Sequence, residues 1–309
     1  MSEPHDLAQW SLHCFCLGAK ETPHRVVRDN GVLLYRLIGG VPSAEVDKAR
    51  LALLERYGLV RRDGELIRTS FPTLGTEASQ LLRQRARSEA AAIVREVETR
   101  VRDVSRGLAA AGFAGHVHAV VFGHVLDGLT WDVVRTITAL PDTSLSAERP
   151  LWNGAFWAIY PKPERTGGTN ELRGKRGTLV MVWEDYNLEA LRGFAATAEV
   201  RAALDRPDSN GAELVLAGIR LPVLGPATPA RLAAACRDIA TTVAHRLVGQ
   251  PRLATELERL GVGLSAAELP VVYGHEFIWA VRDQLLEVGA LAPPSDDLAH
   301  AMFVHRDGA

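Results

Sequence analysis

The chain has 309 residues, of which 47% are hydrophobic and 23% charged, a balance that excludes intrinsic disorder and fits one large or two ordinary globular domains. No apolar run approaches the ~20 residues of a membrane-spanning helix, the N-terminus lacks the basic region of a secretory signal, and three cysteines do not form a disulfide framework, so a cytoplasmic protein is expected. The net charge of −2 divides into +3 for residues 1–110 (17 Lys+Arg, 14 Asp+Glu) and −5 for residues 111–309 (18 and 23), which suits a nucleic-acid-binding head on an effector body.

The first segment, residues 5–18, is predicted to be an apolar helix. It carries His13, Cys14 and Cys16, residue types that also bind zinc. Ligands on one helix face must be three or four residues apart, whereas the two cysteines are two apart. No metal site is therefore expected.

Residues 32–75 have the pattern of a helix, a turn, a second helix and a hairpin. Gly39-Gly40 provides the turn, and Ser43 is a good N-cap because its hydroxyl can accept from a free backbone N–H of the first turn. Apolar residues then recur on one helical face at Val46, Ala49, Leu53, Leu54 and Tyr57. Gly58 can close the helix, and Asp63-Gly64 is a strong hairpin signal.

The order of these elements, and above all the sequence LLERYGLVRRDG at 53–64, resembles the winged helix-turn-helix domains of bacterial regulators of the MarR, ArsR and TrmB-like types. The resemblance covers about residues 22–75. It implies that the second helix enters the major groove and that the wing touches phosphates. The DNA-binding candidates that it implies are Ser43, Lys48, Arg50, Arg61, Arg62 and Arg68. The chain departs from the family pattern at Glu45 and Asp47, whose carboxylates would repel phosphates.

A long helix is predicted from Thr76 to about Arg106, and its other faces are highly charged. One continuous apolar stripe contains Ile93, Val97, Val101, Val104 and Leu108. Two interpretations fit this stripe. It forms a helix–helix seam between two protomers, as the resemblance implies, or it packs on the body of its own chain.

The remainder has strands interleaved irregularly with helices, so the predicted fold class is α+β. The run 116–125 is β-branched and is predicted to be a strand. Residues 151–160 and 178–183 are predicted to be two further strands, and 162–177 a basic, Gly-rich exposed loop. We therefore expect a winged helix at 1–75, a connecting helix at 76–112 and an α+β effector domain at 113–309.

Phosphate-loop, GxGxxG, HExxH and GxSxG signatures are missing, and no cofactor can be assigned. One pattern, VV-aromatic-Gly-His, occurs twice and ends at His124 and at His275. Asp127 lies three residues after the first histidine and Glu276 directly follows the second. Together the four side chains could perform acid–base chemistry or bind a divalent metal. The alternative is that both histidines are hydrogen-bonded residues in apolar packing.

Tryptophan is the other feature of the C-terminal part. Aromatic side chains line many ligand pockets, although core packing is their commoner role. The candidates for ligand binding are Trp131, Trp152, Trp157, Trp183 and Trp279.

These observations favour a dimeric, DNA-binding transcriptional regulator whose C-terminal domain senses a small molecule. The alternative is an enzyme of specialised metabolism that uses the winged helix for dimerisation or for binding a peptide substrate, with the two histidines and two carboxylates as its working residues. A third class is a non-catalytic adaptor whose wing binds protein.

Overall fold

The structure is a computed structural model that describes residues 9–15, 24–144, 146–147, 154–163, 167–206 and 211–306. The fold is mixed α+β, as predicted. The chain divides into two compact units, each built from separate segments. The first unit comprises Met1–Arg85, Thr138–Pro163 and Gln250–Glu276, and the second comprises Ala86–Ile137, Glu164–Gly249 and Phe277–Ala309. The predicted three-part organisation follows a different partition and stays a prediction.

The first unit begins with a helix–hairpin region that we call the N-terminal module, residues 24–74. Its elements are α1 (His24–Ile38), β2 (Val41–Pro42), a 3₁₀ turn (Ser43–Glu45), α2 (Lys48–Arg56), β3 (Val60–Asp63), β4 (Leu66–Thr69) and β5 (Thr73–Leu74). Strands β2, β4 and β3 form a small antiparallel sheet in that order. Its buried core includes Leu34, Leu37, Leu54, Leu59 and Ile67.

The second helix of the module starts later than the sequence indicated. Ser43 lies in the 3₁₀ turn, and the N-cap is Asp47, whose carboxylate accepts from the backbone N–H of Arg50 at 2.9 Å. The prediction that Ser43 is the N-cap is therefore wrong. The helix begins at Lys48, and the carboxylate of Asp47 accepts from a free backbone N–H of its first turn. Gly58 has φ +63 and Gly64 has φ +62, which confirms the predicted helix end and hairpin turn.

The remaining elements of the first unit are β1 (Ser11–Phe15), β6 (Ala155–Ile159), α9 (Pro251–Arg259) and the first part of α10 (Glu268–Glu287). Strand β1 pairs antiparallel with β6, which pairs parallel with β5. The helix predicted at 5–18 is therefore wrong where the structure describes it, because sheet pairing overrides the local pattern. Cys16 lies outside the described residues.

A five-stranded sheet forms the centre of the second unit, in the order β7-β8-β11-β10-β9. The strands are β7 (Gly167–Arg173), β8 (Thr178–Glu184), β9 (Glu213–Leu216), β10 (Ile219–Leu224) and β11 (Met302–His305). The helices are α4 (Val117–Ala119), α5 (Thr130–Ile137), α6 (Leu188–Ala195), α7 (Ala198–Asp205) and α8 (Ala230–Val248), with a 3₁₀ turn at Leu298–Ala301. Helix α3 (Thr76–Ala110) and helix α10 each begin in the first unit and end in the second.

The apolar run that was predicted as a strand at 116–125 is helical. Ala114–Ile137 is one continuous helical segment, with π-helical geometry at Val120–Leu129. The prediction is wrong because an apolar run that is buried on most sides does not distinguish a strand from a core helix. Within the described residues this segment alone is long and apolar enough to cross a membrane, and 67% of its most apolar window is buried. That burial is consistent with the core helix of a soluble protein.

Part of the predicted exposed loop at 162–177 is a strand. Residues 167–173 form β7, which pairs antiparallel with β8 along its whole length. β7 is an edge strand with partly exposed side chains, so its sequence lacks the apolar alternation that identifies inner strands. The strand predicted at 178–183 is confirmed as β8.

Helix α3 confirms the predicted long helix. Its apolar stripe is buried in the single chain. Ile93, Val97, Val101, Val104 and Leu108 are all at most 1% exposed. Arg246 of α8 forms ion pairs with Glu89 at 3.3 Å and with Glu96 at 2.7 Å. The stripe therefore packs within its own chain, and dimerisation stays a prediction.

Close packing of the π-helical segment on the sheet depends on Gly123. A Cβ on Gly123 would lie 2.7 Å from Cγ2 of Val182 and 3.1 Å from the ring of Phe303. We expect Gly123→Ala to lower the free energy of unfolding by about 1–3 kcal/mol, because a β-branched neighbour is stiff and the core is already filled.

The matched control is Gly193→Ala, since Gly193 is also helical and nothing lies within 4 Å of the position that a Cβ would occupy there. Removing the flexibility of this glycine should stabilise the protein by about 0.5–1 kcal/mol. Urea unfolding of both variants compares the two sites. Equal effects would contradict the packing argument.

Candidate functional sites

The cationic surface of the N-terminal module is smaller than the sequence suggested. Arg62 pairs with Glu55 at 2.9 Å, and Arg68 pairs with Asp63 at 2.9 Å. Arg68 also donates to the carbonyl of Gly39 at 3.0 Å. These two arginines therefore hold the hairpin against the rest of the module, and their charges are largely neutralised.

Three of the predicted cations remain. Lys48, Arg50 and Arg61 are exposed, and none of them forms an ion pair with another described residue. Asp47 lies beside the first two, but its carboxylate is engaged by the backbone at the start of α2. Residues 43–69 carry six Lys+Arg and five Asp+Glu, a net of +1, so the position of the free cations matters more than the total.

His275 and Glu276 lie in the first unit, in a cluster with aromatic residues. The rings of His13 and His275 are 4.2 Å apart, and both contact Trp157, at centroid distances of 5.2 and 5.9 Å. Arg83 donates to Glu276 Oε2 at 3.2 Å. Buried atoms without a hydrogen-bond partner in the described chain include His275 Nδ1, Glu276 Oε1 and Trp157 Nε1.

The surroundings of His275 favour the neutral form of its imidazole. Burial is the largest cause and lowers the pKa of His275; the carboxylate of Glu276 partly opposes it, and Arg83 adds a smaller lowering. The Nδ1 of His275 is 4.0 Å from Glu276 Oε1, too far for a hydrogen bond. A neutral imidazole next to a fixed carboxylate can accept a proton, which is the chemistry that the sequence suggested for this pair.

The other predicted pair lies in the second unit. Thr169 and the indole of Trp131 donate to Asp127, the latter at 3.3 Å. Desolvation raises the pKa of Asp127 to about 6, although these two hydrogen bonds lower it. The ring of His124 lies 5.7 Å from that of His305, and burial lowers the pKa of His124 to about 4. The pair His124 and Asp127 and the pair His275 and Glu276 belong to different units and have different neighbours. A site that both pairs form together stays a prediction.

The predicted tryptophans have separate environments. Trp157 is 2% exposed and Trp131 is 6% exposed, so both belong to the buried interior. Trp279 contacts the ring of Phe122 at 4.3 Å and packs over Gly167. Trp183 lies on β8 with a buried indole N–H that finds no acceptor in the described chain. Trp152 lies outside the described residues.

The sequence did not indicate Arg282, whose side chain is 2% exposed. Its guanidinium donates to Glu184, to His118 Nε2 at 3.2 Å and to Asp283 at 2.8 Å. The face of Trp279 lies 5.2 Å from its Cζ. These partners are up to 164 positions away along the chain, so no local spacing could have revealed the cluster.

Burial and the neighbouring guanidinium lower the pKa of His118 to about 4. This histidine is therefore neutral at pH 7, and because Nε2 accepts from Arg282, its proton is on Nδ1. His116, on the same helical segment, also has its pKa lowered to about 4, first by burial and then by His300.

Comparison with protein-family models, with curated proteins and with solved structures finds no match for this chain.

Proposed function

We propose that the chain is a cytoplasmic, DNA-binding transcriptional regulator and that residues 24–74 form a winged helix-turn-helix. The observation that carries this proposal is the arrangement of free cations: Lys48 and Arg50 lie on the first turn of α2, and Arg61 lies on the adjacent hairpin. Cations at the start of a recognition helix and on a wing are where DNA phosphates are contacted in such domains.

The ion pairs refine the roles of the predicted residues. Lys48, Arg50 and Arg61 would bind phosphates, whereas Arg62 and Arg68 would stabilise the hairpin through Glu55 and Asp63. Ser43 lies before the helix and would contribute a hydroxyl near the backbone of the DNA. The acidic remainder of the chain would sense a small molecule, and a homodimer would place two modules on half-sites about one helical turn apart.

The test is fluorescence anisotropy with labelled duplex DNA, both the native upstream region and a scrambled duplex, at several salt concentrations. We expect binding at low salt, with a logarithmic salt slope that becomes about 2.7 units shallower in the variant K48A/R50A/R61A, since each lost phosphate contact removes about 0.9. The matched control R135A/R173A/R192A removes three exposed arginines of the second unit and should leave the slope unchanged.

Single variants separate binding cations from structural ones. Arg61→Ala should weaken binding without changing the unfolding midpoint, whereas Arg68→Ala should lower the midpoint because it loses a hydrogen bond to Gly39 and an ion pair. Absence of binding to either duplex at low salt would refute the proposal, as would equal slopes for the two triple variants.

A further inference from the structure

The central sheet of the second unit ends in two edge strands, β7 and β9. An edge strand offers backbone N–H and C=O groups to any further strand, so natural proteins shorten it, bulge it or place Lys or Pro in it. Strand β9 is short, with four residues. Strand β7 has seven residues, contains neither Lys nor Pro, and pairs residue for residue with β8 without a bulge. It therefore lacks these protections.

The charges of β7 do not guard its edge either. Its two charged residues, Glu171 and Arg173, form an ion pair with each other at 2.9 Å. Their side chains are 48% and 66% exposed, so they lie at the surface of the described chain. Because the pair has no net charge, it does not repel a second copy of the same strand.

The turn after β7 shows which of its backbone groups face outwards. The N–H of Gly174 donates to the carbonyl of Gly177 at 2.9 Å. Since antiparallel partners alternate between pairs that exchange hydrogen bonds and pairs that do not, every second residue counted back from Gly174 bonds to β8. The residues between them direct their backbone groups away from the sheet, and these are Gly167, Thr169, Glu171 and Arg173. Within the described chain those outward groups have no hydrogen-bond partner.

The surface that the sequence suggested for dimerisation is already used inside the single chain. Val97 and Val101 of the apolar stripe on α3 are at most 1% exposed. A homodimer therefore needs another surface, and a two-fold dimer needs one that is complementary to itself. An unprotected antiparallel edge strand meets that requirement, because its outward groups can pair with the same groups of a second copy.

We propose that β7 pairs antiparallel with β7 of a second copy of this chain, about a two-fold axis at Asn170. In this register all seven residues overlap, and the two sheets join into one. Glu171 lies opposite the partner's Thr169, so no like charges are opposed. The last two residues of each strand, Leu172 and Arg173, lie opposite the two glycines that begin the other, where no side chain obstructs them. Only the use of this dimer to place two N-terminal modules on neighbouring half-sites rests on the proposed function.

The first test is sedimentation velocity of the full chain without DNA, over a wide range of concentrations. We expect a dimer. Glu171→Pro removes an outward N–H from each copy and leaves the ladder with β8 in place, so it should weaken dimerisation at least about tenfold. Arg173→Ala should leave the dimer intact, because the backbone carries the pairing.

The matched control is Val215→Pro on β9, the other edge of the same sheet. Leu216 pairs with Ile219 across a two-residue turn, so the N–H of Val215 also points outwards. This variant introduces the same chemical change at an edge strand that has no part in the proposed pairing. It should dimerise like the unaltered chain.

A cross-link tests the register. Asn170 would face Asn170 of the second copy in a pair without hydrogen bonds, whose Cα atoms are about 4.5 Å apart, within the range that a disulfide spans. Asn170→Cys should therefore give a disulfide-linked dimer on mild oxidation, seen on a non-reducing gel. Val215→Cys, whose position is 51% exposed, should remain monomeric on that gel.

Circular dichroism shows whether each variant folds. A monomeric unaltered chain would overturn the proposal, as would equal dimerisation of folded Glu171→Pro and Val215→Pro. If Glu171→Pro does not fold, the cross-link decides, and its absence in Asn170→Cys would overturn the proposal. A β7 dimer that binds no DNA would refute only the regulator, whereas DNA binding by a chain that stays monomeric would refute only the strand pairing.

Discussion

Arg282→Leu is expected to lower the free energy of unfolding by about 3–5 kcal/mol, one of the largest effects of any single substitution in the chain. The guanidinium is nearly inaccessible and holds the carboxylate of Glu184 and the ring of His118. Its removal leaves the partly buried carboxylate of Glu184 without its counter-charge. Urea unfolding at pH 7.5, followed by circular dichroism, measures the loss.

The control is Arg173→Leu, which breaks an ion pair with Glu171 whose arginine side chain is 66% exposed. Exposed pairs contribute at most about 1 kcal/mol. The double variant R282L/E184L should recover part of the lost stability, because both charges are then absent. If Arg282→Leu cost no more than Arg173→Leu, the buried cluster would not be a stabilising element.

Acid should destabilise the native state well above pH 4. The pKa values of His116 and His118 are lowered from 6.5 to about 4. Between these values the unfolded chain binds protons that the native chain does not, so stability falls as the pH falls from 6.5 to 4. At pH 5 each histidine should reduce the free energy of unfolding by about 2 kcal/mol relative to pH 7.5.

Asp127 changes the stability in the opposite direction. Its pKa is raised from 3.8 to about 6, so the native state binds the extra proton between pH 6 and 3.8, and stability rises there by about 1 kcal/mol at pH 5. The two histidines together outweigh this gain. The net expectation is a loss of stability on acidification.

His116→Phe isolates one contribution, because both ring nitrogens of His116 are buried without partners in the described chain and a phenyl ring needs none. The difference in unfolding free energy between pH 7.5 and 5 should shrink by about 2 kcal/mol in this variant. His245→Phe, at an exposed position on α8, should leave that difference unchanged. An unaltered pH dependence in His116→Phe would show that His116 is accessible to protons in the native state.

Local signals in the sequence were sufficient for elements that local physics determines. Gly58 and Gly64 occupy the left-handed conformations that their neighbours required, and the charged, striped helix that begins at Thr76 covers the predicted range and about one turn more. The edge strand Gly167–Arg173 was missed because its partly exposed face carries no apolar alternation. The strand predicted at 116–125 failed because burial on all sides removes the periodicity that separates helix from strand.

The candidate sites also divide into features that local sequence predicts and features that only the folded chain determines. Exposed cations on a helix and a hairpin can be identified from spacing, but their ion pairs with Glu55 and Asp63 depend on rotamers and register. The cluster of His118, Glu184 and Arg282 joins three distant parts of the chain. No spacing in the sequence connects these three residues with one another.

The chain passes between its two compact units five times, and two of these passages lie inside the helices α3 and α10. No single cleavage can therefore release either unit intact. A gene fusion that transplanted residues 1–75 alone would leave behind β6 and α9, which belong to the same unit. A chimaeric protein that keeps either unit whole would consequently need several junctions rather than one.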